Sequence, residues 1–281
     1  MEKRAYVYQE NFSGETFLPF ALTDYFIQWT QETQQPLLHF WQLKDTFILG
    51  MKDLRVTDLK AGLAQLITTP YTPMVRSAGG LGVINDDGVL NISLFLPNTS
   101  KSISIDEAYE TMTSFMQKAF STPEFPIEAF EITNSYCPGK FDLSIHGKKI
   151  AGIAQRRLKE GIAVMLYLSV TGPQIKRGEI VRDFYQAALK ENFGKLGYPP
   201  VDPHIMANLN DFYPITVAKV KERFTQVFAD FQQAPIDDTF LKEVLQKKAT
   251  QDFLKERYRK MQERNEDLQQ LLQEVSHDKL I

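Results

Sequence analysis

Strand-like and helical hydrophobic patterns alternate through about the first 170 residues of the chain, and only helical patterns follow. The strand-like runs lie at residues 37–43, 46–49, 74–76, 89–95, 127–131, 141–145, 149–155 and 161–170. Helical spacing predicts helices at 17–30, 57–67, 106–120, 179–192 and 215–231, and in a long polar tract that runs to the end. We predict no strand after Gly172. The pattern therefore indicates a mixed first part and an all-helical second part.

A heptad seam marks the last helical tract. Apolar residues recur there in steps of four and three with one polar position, at Leu254, Tyr258, Met261, Asn265, Leu268, Leu272 and Val275. Since the seam lasts only about three heptads, we favour a helix packed against its own chain over an intermolecular coiled coil. We expect a first domain at residues 1–232 and a helical C-terminal extension at residues 233–281.

Two local signals predict where elements begin and turn. Ser104-Ile105-Asp106-Glu107 is a capping box, which starts a helix whose Met112 and Met116 fall on an apolar stripe and so belong to the core. His146-Gly147 separates two strand-like runs by two residues, which is typical of a tight hairpin turn. These signals predict a helix over 106–120 and a hairpin around residue 146.

Composition and charge exclude several classes of function. With 281 residues and 43% hydrophobic content the chain can bury a large core, and 32 basic against 35 acidic side chains leave a formal charge of -3. No overall field would attract nucleic acid or an anionic membrane. The beginning of the chain lacks the apolar core of a signal peptide, and the nearly apolar stretch 161–170 is about half the length needed to span a bilayer. We expect a cytoplasmic protein without nucleic-acid or membrane partners.

The chain has one cysteine, Cys137, in the turn Tyr136-Cys137-Pro138-Gly139. A free cysteine is often a buried apolar filler, but Pro138 and Gly139 build a sharp bend of the kind that lies near the surface. A nearby ammonium favours the thiolate, and Lys149 follows twelve residues later. Cys137 is therefore a candidate nucleophile. The four histidines show no metal-ligand spacing with it, so we predict no metal site.

Glycines are concentrated in the segment Arg76-Ser77-Ala78-Gly79-Gly80-Leu81-Gly82-Val83. Adjacent glycines let a ligand approach main-chain amides closely, although they can equally shape a hairpin. The segment lacks the Gly-Lys-Ser/Thr of a P-loop and the third glycine of the dinucleotide fingerprint, where Asn85 stands.

A second segment, residues 142–157, combines Lys149 with the small residues Ala151, Gly152 and Ala154. A lysine on the Ala151 and Ile153 face would project toward the room that these residues leave. The alternative is a solvated lysine at the start of a strand.

Together the two segments resemble the superfamily of lipoate-protein ligases, octanoyltransferases and biotin ligases. The shared motifs are Arg76-Ser77-x-Gly79-Gly80, Gly88-x-Leu90-Asn91-x-Ser93, Asp142-Leu143 and Gly147-Lys148-Lys149-Ile150-Ala151-Gly152-x-Ala154-Gln155-Arg156. The resemblance covers most of residues 17–172. The position of Cys137 is similar to that in one branch, the octanoyl-[glycine-cleavage H protein]:protein N-octanoyltransferases.

The resemblance implies an α/β (mixed α+β) fold, a biotin/lipoyl-ligase-like catalytic domain followed by the helical C-terminal extension. It makes Cys137 the acyl-thioester nucleophile and Lys149 the lysine that favours its thiolate. It implies substrate-binding roles for Arg76, Gly79, Gly80, Gly82, Val83, Asn91, Gly152 and Ala154. We expect an apolar acyl tunnel with walls at Ala78, Leu81, Val83, Ala151 and Ile153. The chain departs from the superfamily at Asn85, where related enzymes often have a histidine.

The function implied is transfer of an octanoyl or lipoyl group without ATP or another cofactor. The donor would be a lysine of the glycine-cleavage H protein, and the acceptor a lysine of a lipoyl domain of a 2-oxoacid dehydrogenase. An ATP-dependent lipoate-protein ligase and a catalytically silent carrier-binding protein are the alternatives. Arg156, Arg157 and Lys159 are either a docking patch for an acidic carrier or a solvated strand end.

Overall fold

The computed structural model describes residues 3–11, 16–97, 102–158 and 161–278. Within them the strands are β1 (Ala5–Asn11), β2 (Leu37–Gln42), β3 (Thr46–Leu49), β4 (Thr72–Val75), β5 (Val83–Asn85), β6 (Val89–Pro97), β7 (Glu128–Ala129), β8 (Leu143–Ile145), β9 (Lys148–Leu158), β10 (Gly161–Ser169) and β11 (Ile236–Asp237). The helices are α1 (Leu18–Thr33), α2 (Leu59–Leu66), α3 (Ile105–Phe120), α4 (Gln174–Leu189), α5 (Val217–Gln232), α6 (Phe240–Gln246) and α7 (Lys248–Asp278).

The strands form one large and one small sheet. The large sheet has the order β11-β1-β2-β6-β10-β9-β8-β7, and the small sheet has the order β4-β3-β5. In the large sheet β1 runs parallel to both of its neighbours, and the other pairs are antiparallel. The glycine-rich segment connects β4 to β5 in the small sheet, whereas Cys137 lies between β7 and β8 of the large sheet. The candidate residues thus come from both sheets.

Alternate residues of the large sheet supply two separate hydrophobic cores, as the side-chain period of a strand requires. In β2, Leu38 and Phe40 join a core that contains residues of α3 and α5. Leu37 and Trp41 join a second core, which contains residues of α1, α2, α4 and the small sheet. The mixed α+β class is confirmed. Met112 and Met116 are fully buried in the first core, as predicted.

Most of the predicted elements are present, with shifted ends. The Ser104 capping box is formed, and His146 and Gly147 both have positive φ in the hairpin turn. The sequence did not reveal β1, β5 or β11. The prediction of no strand after Gly172 is wrong, because Ile236 pairs with Ala5 at the edge of the large sheet. A strand of two residues is too short to show an alternating pattern.

The heptad seam packs against its own chain, as predicted. Leu254, Met261, Leu268 and Val275 are buried in the second core, and α7 contacts α1, α2 and β4. Among the described residues, no helix combines the length and the apolar character that crossing a membrane requires. The same residues contain no cluster of His, Cys, Asp or Glu side chains that could hold a metal ion.

His39 provides a test of the fold at low pH. It is fully buried in β2 against the rings of Tyr8 and Phe26. Burial, with a smaller contribution from the charge of Lys221, lowers the pKa of His39 from 6.5 to about 3. As the pH falls below 6.5 the unfolded chain takes up a proton here and the folded chain does not, so acid destabilises the fold.

We therefore expect the wild type to lose about 2 kcal/mol more unfolding free energy than the His39→Phe variant between pH 7 and pH 5. Denaturant unfolding of both proteins at the two pH values measures this difference. The contributions of the other titratable groups cancel, because both proteins contain them. Equal pH dependence in the two proteins would show that His39 is not buried as a neutral ring.

Candidate active site

The segment between β7 and β8 bends back over the sheet and carries the thiol. Cys137 has a φ of 48°, a left-handed conformation at the bend. The Asp142 carboxylate accepts hydrogen bonds from the backbone N–H groups of Ile132 (3.2 Å) and Gly139 (3.1 Å), which closes the segment into a loop. The thiol is partly exposed, as the Pro138-Gly139 bend predicted.

Lys149 and Asp142 form a buried ion pair beneath this loop. The two side chains are 4% and 1% exposed, and Nζ lies 2.9 Å from Oδ1. Nζ also donates to Ser135 Oγ (3.1 Å) and to the carbonyls of Tyr136 (3.1 Å) and Cys137 (2.9 Å). Burial raises the pKa of Asp142 above its ordinary value, and the lysine charge opposes that rise. The bend does bring Cys137 back to Lys149, but the ammonium binds the cysteine's carbonyl oxygen.

The hydrogen bonds that reach the sulfur come from the glycine-rich segment. The N–H of Leu81 lies 3.3 Å from Cys137 Sγ, and Arg76 Nη2 lies 3.8 Å from it. The same guanidinium donates to the carbonyls of Gly79 and Leu81, both at 3.1 Å. Arg76 thus braces the segment and places a positive charge beside the thiol. Its role at the sulfur was not predicted.

Gly80 lies where the two segments meet and has no room for a side chain. Its φ is +88°, and a Cβ there would lie 2.5 Å from Arg76 Nη2 and 3.1 Å from Cys137 Sγ. Any side chain would therefore be both strained and in collision with the site. Gly80 thus permits the close approach of the chain's own guanidinium and thiol. The approach of a ligand to these amides, which the sequence interpretation proposed, stays a prediction.

A cavity of about 390 Å³ opens beside the thiol, within the usual range for ligand sites. Cys137 and Lys149 line it together with seven of the eight predicted substrate-binding residues: Arg76, Gly79, Gly80, Val83, Asn91, Gly152 and Ala154. Its apolar walls include Phe20, Trp41, Ile48, Ile153, Met165 and Leu166. The cavity therefore places the thiol among mainly apolar walls.

Three residues expected at the cavity lie elsewhere. Gly82 packs against Phe47 and donates its N–H to Tyr185 Oη at 2.8 Å. Leu81 contributes its backbone N–H to the thiol and does not line the cavity. Ala151 is buried in the other core and does not line the cavity. Of the five predicted walls, Ala78, Val83 and Ile153 do line the cavity.

Asp53 supports the glycine-rich segment from beneath. It is fully buried, and its carboxylate accepts from Tyr185 Oη (2.7 Å) and from the N–H of Gly50 (2.8 Å). Burial raises the pKa of Asp53 to about 6. Through Tyr185 this carboxylate holds the N–H of Gly82, one residue after Leu81. Tyr185 lies 132 positions from Asp53 and 103 positions from Gly82 in the sequence, so no local signal reveals this chain of contacts.

The arginines that follow the lysine motif bind their own chain. Arg156 pairs with Asp24 of α1 at 2.7 Å and donates to the carbonyl of Ser77 at 3.0 Å. Arg157 donates to the carbonyls of Ile103 and Ser104. Lys159 lies outside the described residues. Arg156 therefore braces the glycine-rich segment, and its docking role stays a prediction.

Asn85, the departure from the superfamily pattern, is fully buried. Its Oδ1 accepts from Asn91 Nδ2 at 2.6 Å, and Asn91 lines the cavity. Asn85 thus contacts the cavity wall through its hydrogen bond to Asn91.

Residues 15–229 match the family model of the lipoyl protein ligase A/B catalytic domain. The chain belongs to this family. It is 38% identical over 239 residues to the octanoyl-[GcvH]:protein N-octanoyltransferase of Oceanobacillus iheyensis, covering 84% of this chain and 83% of the relative. It is 44% identical over 171 residues to the lipoyl-[GcvH]:protein N-lipoyltransferase of Listeria monocytogenes, covering 61% and 62%. Like these relatives, the family member described here is an enzyme.

The fold of the family is also found in solved structures. A crystal structure of lipoate-protein ligase A bound with ATP superposes with a TM-score of 0.70 over 92% of this chain and 95% of that chain, at 18% identity. The predicted ligase-like catalytic fold is therefore confirmed. At this identity the likeness shows the fold alone.

The buried ion pair predicts a large and specific loss of stability. Removing one partner leaves an uncompensated buried charge, so Asp142→Ala should lower the unfolding free energy by about 3–5 kcal/mol. Asp106→Ala removes the partner of Lys140 in an exposed pair of 2.8 Å, and that change should cost at most about 1 kcal/mol. Denaturant unfolding measures both. A similar loss in the two variants would contradict the burial of the Lys149 pair.

Proposed function

We propose that the chain transfers an octanoyl or lipoyl group between two carrier proteins through a thioester on Cys137. The donor is a lysine of the glycine-cleavage H protein, and the acceptor is a lysine of a 2-oxoacid dehydrogenase lipoyl domain. One observation carries the proposal: the single thiol of the chain lines an apolar cavity and receives hydrogen bonds from the Leu81 N–H and Arg76. The names of the relatives, which specify GcvH and an octanoyl or lipoyl group, support it.

In the first half-reaction the Cys137 thiolate attacks the carbonyl carbon of the acyl-lysine amide. Arg76 and the Leu81 N–H stabilise the sulfur anion before the attack. The C–N bond then breaks, and the departing lysine amine takes a proton from the Lys149 ammonium, which leaves a neutral Lys149 and an acyl thioester. The ion pair with Asp142 holds Lys149 in place until that step.

In the second half-reaction the acceptor lysine attacks the thioester. It gives a proton to the neutral Lys149, the C–S bond breaks, and Cys137 returns as the thiolate beside Arg76. One lysine amide has been exchanged for another, so the net free-energy change is near zero and no ATP is required. The backbone N–H of Leu81 lies beside the sulfur, where it suits the oxyanion of each tetrahedral intermediate.

Transfer from octanoylated H protein to a lipoyl domain without nucleotide tests the role of Cys137. We expect Cys137→Ala to lose transfer by at least about a thousandfold, because no thioester forms. Wild type mixed with donor alone should gain the mass of one octanoyl group, which neutral hydroxylamine removes. Transfer that needs ATP and survives in Cys137→Ala would instead identify a lipoate-protein ligase. If no transfer occurs under either condition, the result would favour the alternative of a catalytically silent carrier-binding protein.

The proton transfer needs a variant of Lys149 that still folds. Lys149→Met alone would leave the buried Asp142 carboxylate without its counter-charge. The Lys149→Met/Asp142→Asn double variant therefore removes both charges at once. We expect this variant to fold and to form the thioester more slowly by a factor of about 100 to 10,000. Single-turnover acylation followed by intact mass measures the rate, and thermal unfolding of the double variant checks that it is folded. A double variant that acylates as fast as the wild type would remove Lys149 from the mechanism.

A further inference from the structure

Asn265 is the polar residue in the apolar seam of α7, and its carboxamide is fully bonded. It is 1% exposed. Its Oδ1 accepts from the N–H of Val75 at 2.7 Å, and its Nδ2 donates to the carbonyls of Val75 (3.1 Å) and Met261 (2.8 Å). Val75 is the last residue of β4, an edge strand of the small sheet. The carboxamide therefore binds both backbone groups of Val75, as a neighbouring strand would.

The residue held in this way directly precedes Arg76. On its other side β4 pairs with β3, where Val75 is in register with Leu49 and the N–H of Arg76 donates to the Leu49 carbonyl at 3.0 Å. The end of β4 is thus fixed between β3 and α7. From that point Arg76 extends to Gly79, Leu81 and the Cys137 sulfur.

Two further side chains of α7 reach the surroundings of the same segment. Arg264 Nη1 lies 3.1 Å from Met51 Sδ. The residue before Met51 is Gly50, which packs so closely against the carbonyl of Gly80 that a side chain would not fit between them. Arg257 lies 3.9 Å from Asp24, the carboxylate that holds Arg156 against the Ser77 carbonyl. Although α7 lies beyond the residues matched by the family model, it contacts the support of the glycine-rich segment at three places.

We propose that Asn265 is a positioning residue for acyl transfer, acting through its paired hydrogen bonds to Val75. These bonds set the place of Arg76 and of the Leu81 N–H relative to the sulfur. The proposal rests on the proposed function for its catalytic consequence. Its geometric part, the effect on the thiol, does not depend on any carrier protein.

The test compares Asn265→Leu, Asn265→Gln and Val275→Ala in the full chain. Leucine continues the apolar seam but leaves the N–H and carbonyl of Val75 without their partner, whereas glutamine keeps a carboxamide. Val275 is buried in the same helix ten residues further on, so its truncation controls for loosening of α7. Each protein is assayed for Cys137 alkylation by iodoacetamide, for single-turnover acylation by octanoylated H protein, and for thermal unfolding.

For Asn265→Leu we expect the maximal acylation rate to fall by about tenfold to a hundredfold, with the half-saturating donor concentration unchanged. Alkylation should slow by about threefold or more, because the sulfur loses well-placed donors. Asn265→Gln should recover part of both rates. Val275→Ala should lower the melting temperature and leave both rates unchanged.

Wild-type rates of alkylation and acylation in Asn265→Leu would overturn the proposal. Losses in Val275→Ala as large as those in Asn265→Leu would also overturn it, since they would show a general effect of destabilising the helix. If the wild type is not acylated by octanoylated H protein, the proposed function fails. The alkylation rates then still decide whether Asn265 positions the donors around the thiol.

Discussion

The buried ion pair between Lys149 and Asp142 determines the shape of the loop that carries the thiol. An ammonium removed from water is tolerated only when its charge is paired and its N–H groups are bonded. Here the partners are Asp142, the Ser135 hydroxyl and the carbonyls of residues 136 and 137. Satisfying the lysine therefore requires the backbone on both sides of the bend to lie directly above it. The position of the sulfur therefore follows from the hydrogen bonds that the buried ammonium of Lys149 requires.

This arrangement separates two tasks that a sequence interpretation assigns to one residue. A lysine near a cysteine suggests a direct ion pair with the thiolate. In the structure Lys149 holds the backbone of the cysteine, and Arg76 with the Leu81 N–H faces its sulfur. An arginine suits that place because it stays charged and has enough donors to bind two carbonyls and the sulfur together. The lysine, which can lose its proton, is left for the proton transfer that we propose.

The sequence was sufficient for features encoded in neighbouring residues and insufficient for those that depend on distant contacts. The capping box at Ser104, the hairpin at His146 and the seam of α7 are local patterns, and all three are present. The bend at Cys137 is also encoded locally, by Pro138 and Gly139, and Cys137 has a positive φ there. In contrast, the sulfur contacts of Arg76 cross 61 positions and the Asp53 contact of Tyr185 crosses 132. No periodicity reports which of several buried carboxylates will meet a given partner.

Gly80 shows how little freedom remains where the two sheets meet. The glycine-rich segment of the small sheet must pass close enough for the Leu81 N–H and Arg76 to reach the sulfur of Cys137, which lies between β7 and β8 of the large sheet. A methyl group at residue 80 would collide with the guanidinium and press on the thiol, and the positive φ disfavours any side chain. Supports on three sides hold this contact: Tyr185 with Asp53 below, Arg156 at Ser77, and Asn265 behind Val75. Each support binds a backbone group, so the chain's own contacts hold the donors at the sulfur. For the transfer that we propose, this is the preorganisation that charge stabilisation in a transition state requires.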